Sequence, residues 1–251
     1  MNLIPLNMIM RVAFGDIETL PMVSQWSSLV MLVEEVLVWS AEDLRCMFYL
    51  FHMPKGWLRY QAFNKVSPTK LIPAGCKERC VLASRVLGVG FASSVGIAQH
   101  LKCQILLGNP NHELALPKKD FEIRKDSPLF PEAKAYWKAY LDNWDELRVV
   151  HREAARQLSG TPSPWQKVAR VAYEKWKAPT HPKKAVMQEM GAESPGAWID
   201  GDKGNSRAKG ANVAKYMDLS FLHSFCPGAA GGGWRKCLCQ SSSQAALEHL
   251  P

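Results

Sequence analysis

The chain has 251 residues, 47% of them hydrophobic, enough for one sizeable buried core and consistent with one compact unit followed by a tail. Lys and Arg outnumber Asp and Glu by 31 to 23, a formal charge of +8 that suits a polyanionic partner such as nucleic acid and equally suits an ordinary basic protein. The most apolar early stretch, residues 29–39, is broken by Glu34 and Glu35 and is too short to span a bilayer, and no targeting pattern precedes it, so the expected location is cytoplasmic or nuclear, with no membrane partner and no secretion.

In chain order, residues 1–35 mix apolar runs with turn signals such as Phe14-Gly15-Asp16 and Leu20-Pro21, a pattern of short strands and loops. Val36-Leu37-Val38-Trp39 reads as a buried strand, and Ser40-Ala41-Glu42-Asp43 as the cap of a helix over 44–52 that Pro54 and Gly56 end. Two β-type runs, 57–63 and 81–87, flank a proline- and glycine-containing loop and suggest a hairpin-like excursion. Helical spacing begins at Ser93 and runs to Leu107, after which residues 108–135 are polar, charged and proline-rich and read as an exposed insertion.

Residues 133–158 place Tyr136, Trp137, Tyr140, Leu141, Trp144, Leu147 and Val150 at spacings of three and four, which predicts an amphipathic helix. A second helix is predicted over 164–176, with Ser163 as cap and Pro164 in its first turn. Residues 206–251 are rich in Gly, Ser and Ala and are expected to be a disordered tail. The seven cysteines, Cys46, Cys76, Cys80, Cys103, Cys226, Cys237 and Cys239, are odd in number and lack the paired CxxC spacing and histidines of a zinc site, so free thiols in a reducing compartment are expected.

Four short segments carry a sharper reading. Asp43-Leu44-Arg45-Cys46-Met47-Phe48 puts a carboxylate at a strand end and a bulky ring five residues on; alone, such a segment is more often a capping Asp and a core Phe. Residues 86–99 form a strand, a glycine turn at Gly88 and Gly90, and a helix that reaches Gln99; the glycine lets backbone approach a ligand, although such a turn also serves architecture alone. Tyr140-Leu141-Asp142-Asn143 offers a carboxylate and an amide in what is either a turn or part of the helix the periodicity predicts. His181-Pro182-Lys183-Lys184 offers two adjacent ammonium groups, the commoner fate of which is a solvated turn.

Together and in this order, the four resemble the palm motifs of a retroelement reverse transcriptase over residues 1–205, and Met1-Asn2-Leu3-Ile4-Pro5-Leu6-Asn7 resembles the end of a fingers strand. The resemblance implies an α+β fold, a right-hand polymerase palm of antiparallel sheet backed by helices (residues 36–51 and 85–205), with partial fingers (1–35 and 52–84), a truncated N-terminus and no thumb. It also implies an RNA-directed DNA polymerase that adds deoxynucleotides to a primer, with RNA or DNA template-primer as partner and room for another protein to complete the missing parts. Asp43 and Asp142 would bind Mg²⁺ or Mn²⁺, with the Leu44 carbonyl assisting; Phe48 would act as steric gate, Gly90 and Gln99 would lie against template and nucleotide, and Lys183 or Lys184 would serve departing pyrophosphate.

The departures are Leu87-Gly88-Val89-Gly90 where Leu-Pro-x-Gly is usual, Asn143 where a second Asp is usual, and a longer interval between Asp43 and Asp142. A neutral amide is a weaker metal ligand than a carboxylate, so these departures bear on activity. Two other readings stand beside the polymerase: a noncatalytic nucleic-acid-binding remnant, and a helical interaction module whose 136–150 stripe packs on a partner.

Overall fold

Strand β1 (Glu35–Asp43) is the axis of the molecule in the computed structural model, which describes residues 7, 8, 10–22, 25, 29, 31–66, 81–108, 115–117, 121–127, 133–194, 197–208 and 218–220. All of these fall within one compact unit, Met1–Phe221. Every residue of β1 after Glu35 is buried, which needs cover on both faces and accounts for the unbroken run Val36-Leu37-Val38-Trp39. The strand extends four residues beyond that run: Ser40, Ala41, Glu42 and Asp43 continue the ladder instead of capping a helix, and the helix expected over 44–52 is only the single turn α1 (Met47–Leu50).

The larger correction lies in residues 133–158. The expected amphipathic helix is a β-hairpin, β4 (Ala135–Tyr140) and β5 (Asn143–His151), and only α2 (Arg152–Leu158) is helical. Both strands are covered on both sides, so Tyr136 and Trp137, adjacent in sequence, are both buried, as are Trp144 and Leu147. Two double-faced strands separated by a two-residue turn reproduce spacings of three and four without any helix; the Tyr, Trp and Val content was the better guide.

β5 pairs antiparallel with β1 along its whole length, from Glu35 opposite His151 to Asp43 opposite Asn143, and the sheet order is β4-β5-β1-β6, with β6 at Val186–Glu189. One face carries Trp137, Ala139 and Trp144 and packs on α3 (Ser94–Leu107) and α4 (Pro164–Lys175), through residues such as Ala98, Leu106, Ala169 and Tyr173. The other face carries Leu37, Trp39, Tyr136 and Leu147 and packs on Ala192 of β7 (Gly191–Ser194) and Ile199 of β8 (Ala197–Asp200). Those strands belong to a second antiparallel sheet with β9 (Asn205–Ala208) and β10 (Asp218–Ser220). The fold is therefore mixed α+β around a four-stranded antiparallel sheet.

Smaller differences follow from tertiary cover. Lys55–Gln61 is a 3₁₀ segment where a strand over 57–63 was expected, and the excursion closes as a short hairpin of β2 (Ala62–Val66) and β3 (Val81–Ala83), the latter shorter than the predicted 81–87. The insertion is not simply exposed. Ile123 and Leu116 are buried, the Ile123 N–H donates to the Trp137 carbonyl at 2.7 Å, and the Trp137 N–H donates to the Phe121 carbonyl at 2.8 Å, so this segment covers the free edge of β4. Within the tail expected from residue 206, residues 206–208 and 218–220 are instead paired strand, of β9 and β10; the rest of that expectation lies outside the described residues. Of the cysteines, Cys46 is exposed and Cys103 buried, neither of them in a disulfide among the described residues, and the others lie outside the described residues.

Candidate active site

Asp43 is the last residue of β1 and sits directly across the ladder from Asn143, the first residue of β5. The hairpin turn leaves only Leu141 and Asp142 unpaired between Tyr140 and Asn143, and the pairing is carried one step further by the Leu44 N–H, which donates to the Asp142 carbonyl at 2.9 Å. Asp43 and Asp142, far apart in sequence, are thus locked side by side at one end of the two central strands. Both line a cavity of about 790 Å³ together with Asn143, Lys183, Lys184 and Trp198.

The turn is held from below. Leu141 takes a left-handed conformation (φ 48°), which a branched side chain adopts only when its surroundings impose it. Gln99, fully buried on α3, supplies that constraint: its Nε2 donates to the Ala139 carbonyl at 2.8 Å and its Oε1 accepts from the Leu141 N–H at 2.9 Å. α3 is in turn set by the glycine turn before it. Gly90 has φ +91°, a conformation that disfavours side chains, and Asn7 brackets it by donating to the Gly90 carbonyl at 2.8 Å and accepting from the Ala92 N–H at 2.9 Å.

The two lysines arrive on a 3₁₀ turn, Pro182–Lys184, fastened to the strand end by the His181 N–H, which donates to the Asp43 carbonyl at 2.8 Å. Lys183 is exposed at the cavity wall. Lys184 reaches Asp43, its Nζ 2.9 Å from Oδ2, and this hydrogen bond holds its ammonium above the usual lysine range. Asp142 is met by a neutral donor instead: Asn143 Nδ2 donates to its Oδ1 at 2.9 Å.

Of the eight residues singled out in the sequence, the cavity gathers Asp43, Asp142, Lys183 and Lys184. Leu44 is core, Phe48 is half-buried against the helix-side cluster, and neither they nor Gly90 nor Gln99 line the cavity. Gln99 acts on the site through the turn that carries Asp142.

Sequence reasoning missed a layer of buried charge. Lys102, one turn beyond Gln99 on α3, is fully buried and its Nζ has no hydrogen-bond partner among the described residues; burial pushes its ammonium down to about 7, against the upward pull of Asp142 and Asp145. Lys138 and Asp145, opposite one another on β4 and β5, form a buried ion pair at 3.3 Å, in which burial lowers the lysine and raises the carboxylate. On the helix side Arg170 Nε and Gln166 Nε2 both donate to Glu42, at 2.6 and 2.8 Å. The unbroken apolar and aromatic runs of β1, β4 and β5 are the sequence signal that bears on the strand members of this layer, because strands covered on both faces bury Glu42, Lys138, Asp145 and Glu146 along with their apolar neighbours.

Two carboxylates at a strand end and a tight turn are hard oxygen donors of the kind that hold Mg²⁺ or Mn²⁺ with water and substrate phosphates completing the coordination, so Asp43 and Asp142 fit one such ion. Among the described residues no group of three or more His, Cys, Asp or Glu side chains gathers where it could hold a metal, so any donors beyond this pair would be oxygens from outside that set. Also among the described residues, no helix is long and apolar enough to cross a membrane. In comparison with known proteins, no family model matches the chain and no curated protein matches it.

Proposed function

We propose that the chain is a palm-type nucleotidyltransferase of the reverse transcriptase kind, which adds deoxynucleotides to a primer paired with an RNA or DNA template. The observation that carries this reading is the convergence of Asp43 and Asp142: a strand-end carboxylate and a hairpin-turn carboxylate meet in one cavity beside Lys183 and Lys184, residues from three of the four sequence motifs. The four-stranded antiparallel sheet with helices on one face is what a palm requires.

In this reading Asp43 and Asp142 hold a divalent ion, Mg²⁺ or Mn²⁺, which when bound supplies charge neutralisation to the primer hydroxyl and the transferring phosphoryl group. The chain's own part is positional. The ladder from Asp43 to Asn143 and the Gln99 clamp fix the two carboxylates relative to one another. Lys183 and Lys184, on a short exposed turn at the cavity wall, can reach the oxygens of departing pyrophosphate.

Purified protein is expected to incorporate deoxynucleotides on a primed RNA template only with Mg²⁺ or Mn²⁺, and Asp142→Ala is expected to abolish incorporation. No incorporation, with binding to the same template retained, would point to the noncatalytic nucleic-acid-binding remnant, the reading that Asn143 at the second carboxylate position favours. The third reading, a helical interaction module, has lost its footing, because the stripe it rested on is a buried hairpin.

A further inference from the structure

We propose that Lys184 is a resident counterion that occupies the cation position on Asp43, so that a divalent ion binds by displacing it. This rests on Asp43 and Asp142 being cation ligands, as in the function proposed above.

Lys184 Nζ lies 2.9 Å from Asp43 Oδ2, within the distance at which an ammonium satisfies a carboxylate oxygen that a metal would otherwise take. The two partners differ in freedom. Asp43 is fixed at the end of a fully paired strand, its side chain 11% exposed, whereas the Lys184 side chain is 57% exposed and can leave without disturbing anything packed. Its backbone cannot leave with it: the Lys184 N–H is tied to the His181 carbonyl at 2.9 Å, and the His181 N–H to the Asp43 carbonyl at 2.8 Å. The side chain therefore swings on a fixed pivot beside the site.

The other carboxylate is compensated differently. Asp142 is met by the neutral Asn143 amide, and no other lysine or arginine forms an ion pair with Asp43 or Asp142 among the described residues. With Lys184 in place the pair carries a net charge of about −1 instead of −2, which weakens its attraction for a dication by simple Coulomb reasoning. Once displaced, the ammonium remains tethered at the cavity wall, where the phosphates of a metal-bound substrate would lie.

The test is direct Mn²⁺ binding to the full chain, read by the loss of the free-ion electron paramagnetic resonance signal with no nucleotide present. Lys184→Met, which keeps most of the stem and removes the charge, is expected to bind Mn²⁺ about five- to tenfold more tightly than the parent. Lys184→Arg, which keeps the charge, is expected to stay close to the parent, and Asp43→Asn to bind far more weakly than either. Equal or weaker binding by Lys184→Met would overturn the proposal, and so would Mn²⁺ binding that Asp43→Asn leaves intact or that no variant shows. The expected ranking in a protein that incorporates no nucleotide would uphold the counterion and sink only the polymerase.

Discussion

At the scale of single residues, the buried carboxyl of Glu146 gives the most readily measured consequence. It lies on β5 beneath the start of α4, where Ser163 has two jobs: its hydroxyl oxygen accepts from the Gln166 N–H at 2.9 Å as the helix cap, and its O–H donates to Glu146 Oε2. Burial raises the Glu146 carboxyl to about 7, and Ser163 and then Arg148 only partly oppose that shift. An acid whose folded value is raised holds a proton in the folded chain that the unfolded chain has already released. Its contribution is therefore full below the ordinary glutamate value near 4.5 and is lost as the pH rises towards 7. Through this group, unfolding free energy is expected to fall by about 3 kcal/mol across that window, read by urea denaturation at several pH values. Glu146→Gln should flatten that slope. A parent slope that the substitution leaves unchanged would mean that another group titrates there.

At the scale of elements, the part of the site legible in the sequence was its chemistry, and the part that was not was its geometry. Asp142 stood out as a carboxylate in a Tyr-x-Asp-Asn segment, yet apolar spacing assigned that segment to a helix, because spacing counts apolar positions and cannot tell one wide helical stripe from two strands buried on both faces. The helix α3 was legible from its apolar spacing and α4 from the Ser163-Pro164 signal at its start. What no local signal announced is where α3 sits. Its Gly96 lies against the chain at Phe14, where a Cβ would come within 1.8 Å of the Phe14 carbonyl oxygen, while the Asp16 N–H donates to the Gly96 carbonyl and Asp16 Oδ2 pairs with His100 Nδ1 at 3.1 Å. The crossing fixes α3 and, through Gln99, the Asp142 turn. Gly96→Ala is expected to lower unfolding stability by about 2 kcal/mol or more, since backbone rather than a yielding side chain must move. Gly56, which has open space around it, is the control: Gly56→Ala should stay within about 0.5 kcal/mol. Equal effects of the two would mean that the α3 crossing is looser than drawn.

At the scale of the molecule, the net charge of +8 and the character of the cavity point in opposite directions. Six of the cavity-lining residues are carboxylates (Glu42, Asp43, Asp142, Asp145, Glu189 and Glu193) against two lysines. Even with Glu42, Asp43 and Asp145 paired, such a cavity does not attract phosphates unaided. On the function proposed above, the attraction for a polyanion would have to come from elsewhere, and α4 with the residues after it is the surface to test: Lys167, Lys175 and Lys177 are exposed, and Trp176 presents its ring to solvent at 61% exposure, cations for phosphates beside a platform for a base. Grip on the template and engagement of the substrate phosphates should therefore separate experimentally. Binding of a primed RNA is expected to persist in a chelator and to weaken at least about tenfold between about 50 and 200 mM salt, as release of counterions from two or more neutralised phosphates requires. Trp176→Ala should weaken it without altering the salt slope, because stacking releases no counterions. Binding that disappears with the divalent ion would place the template contact at Asp43 and Asp142 themselves, and the basic surface would then have no part in holding it.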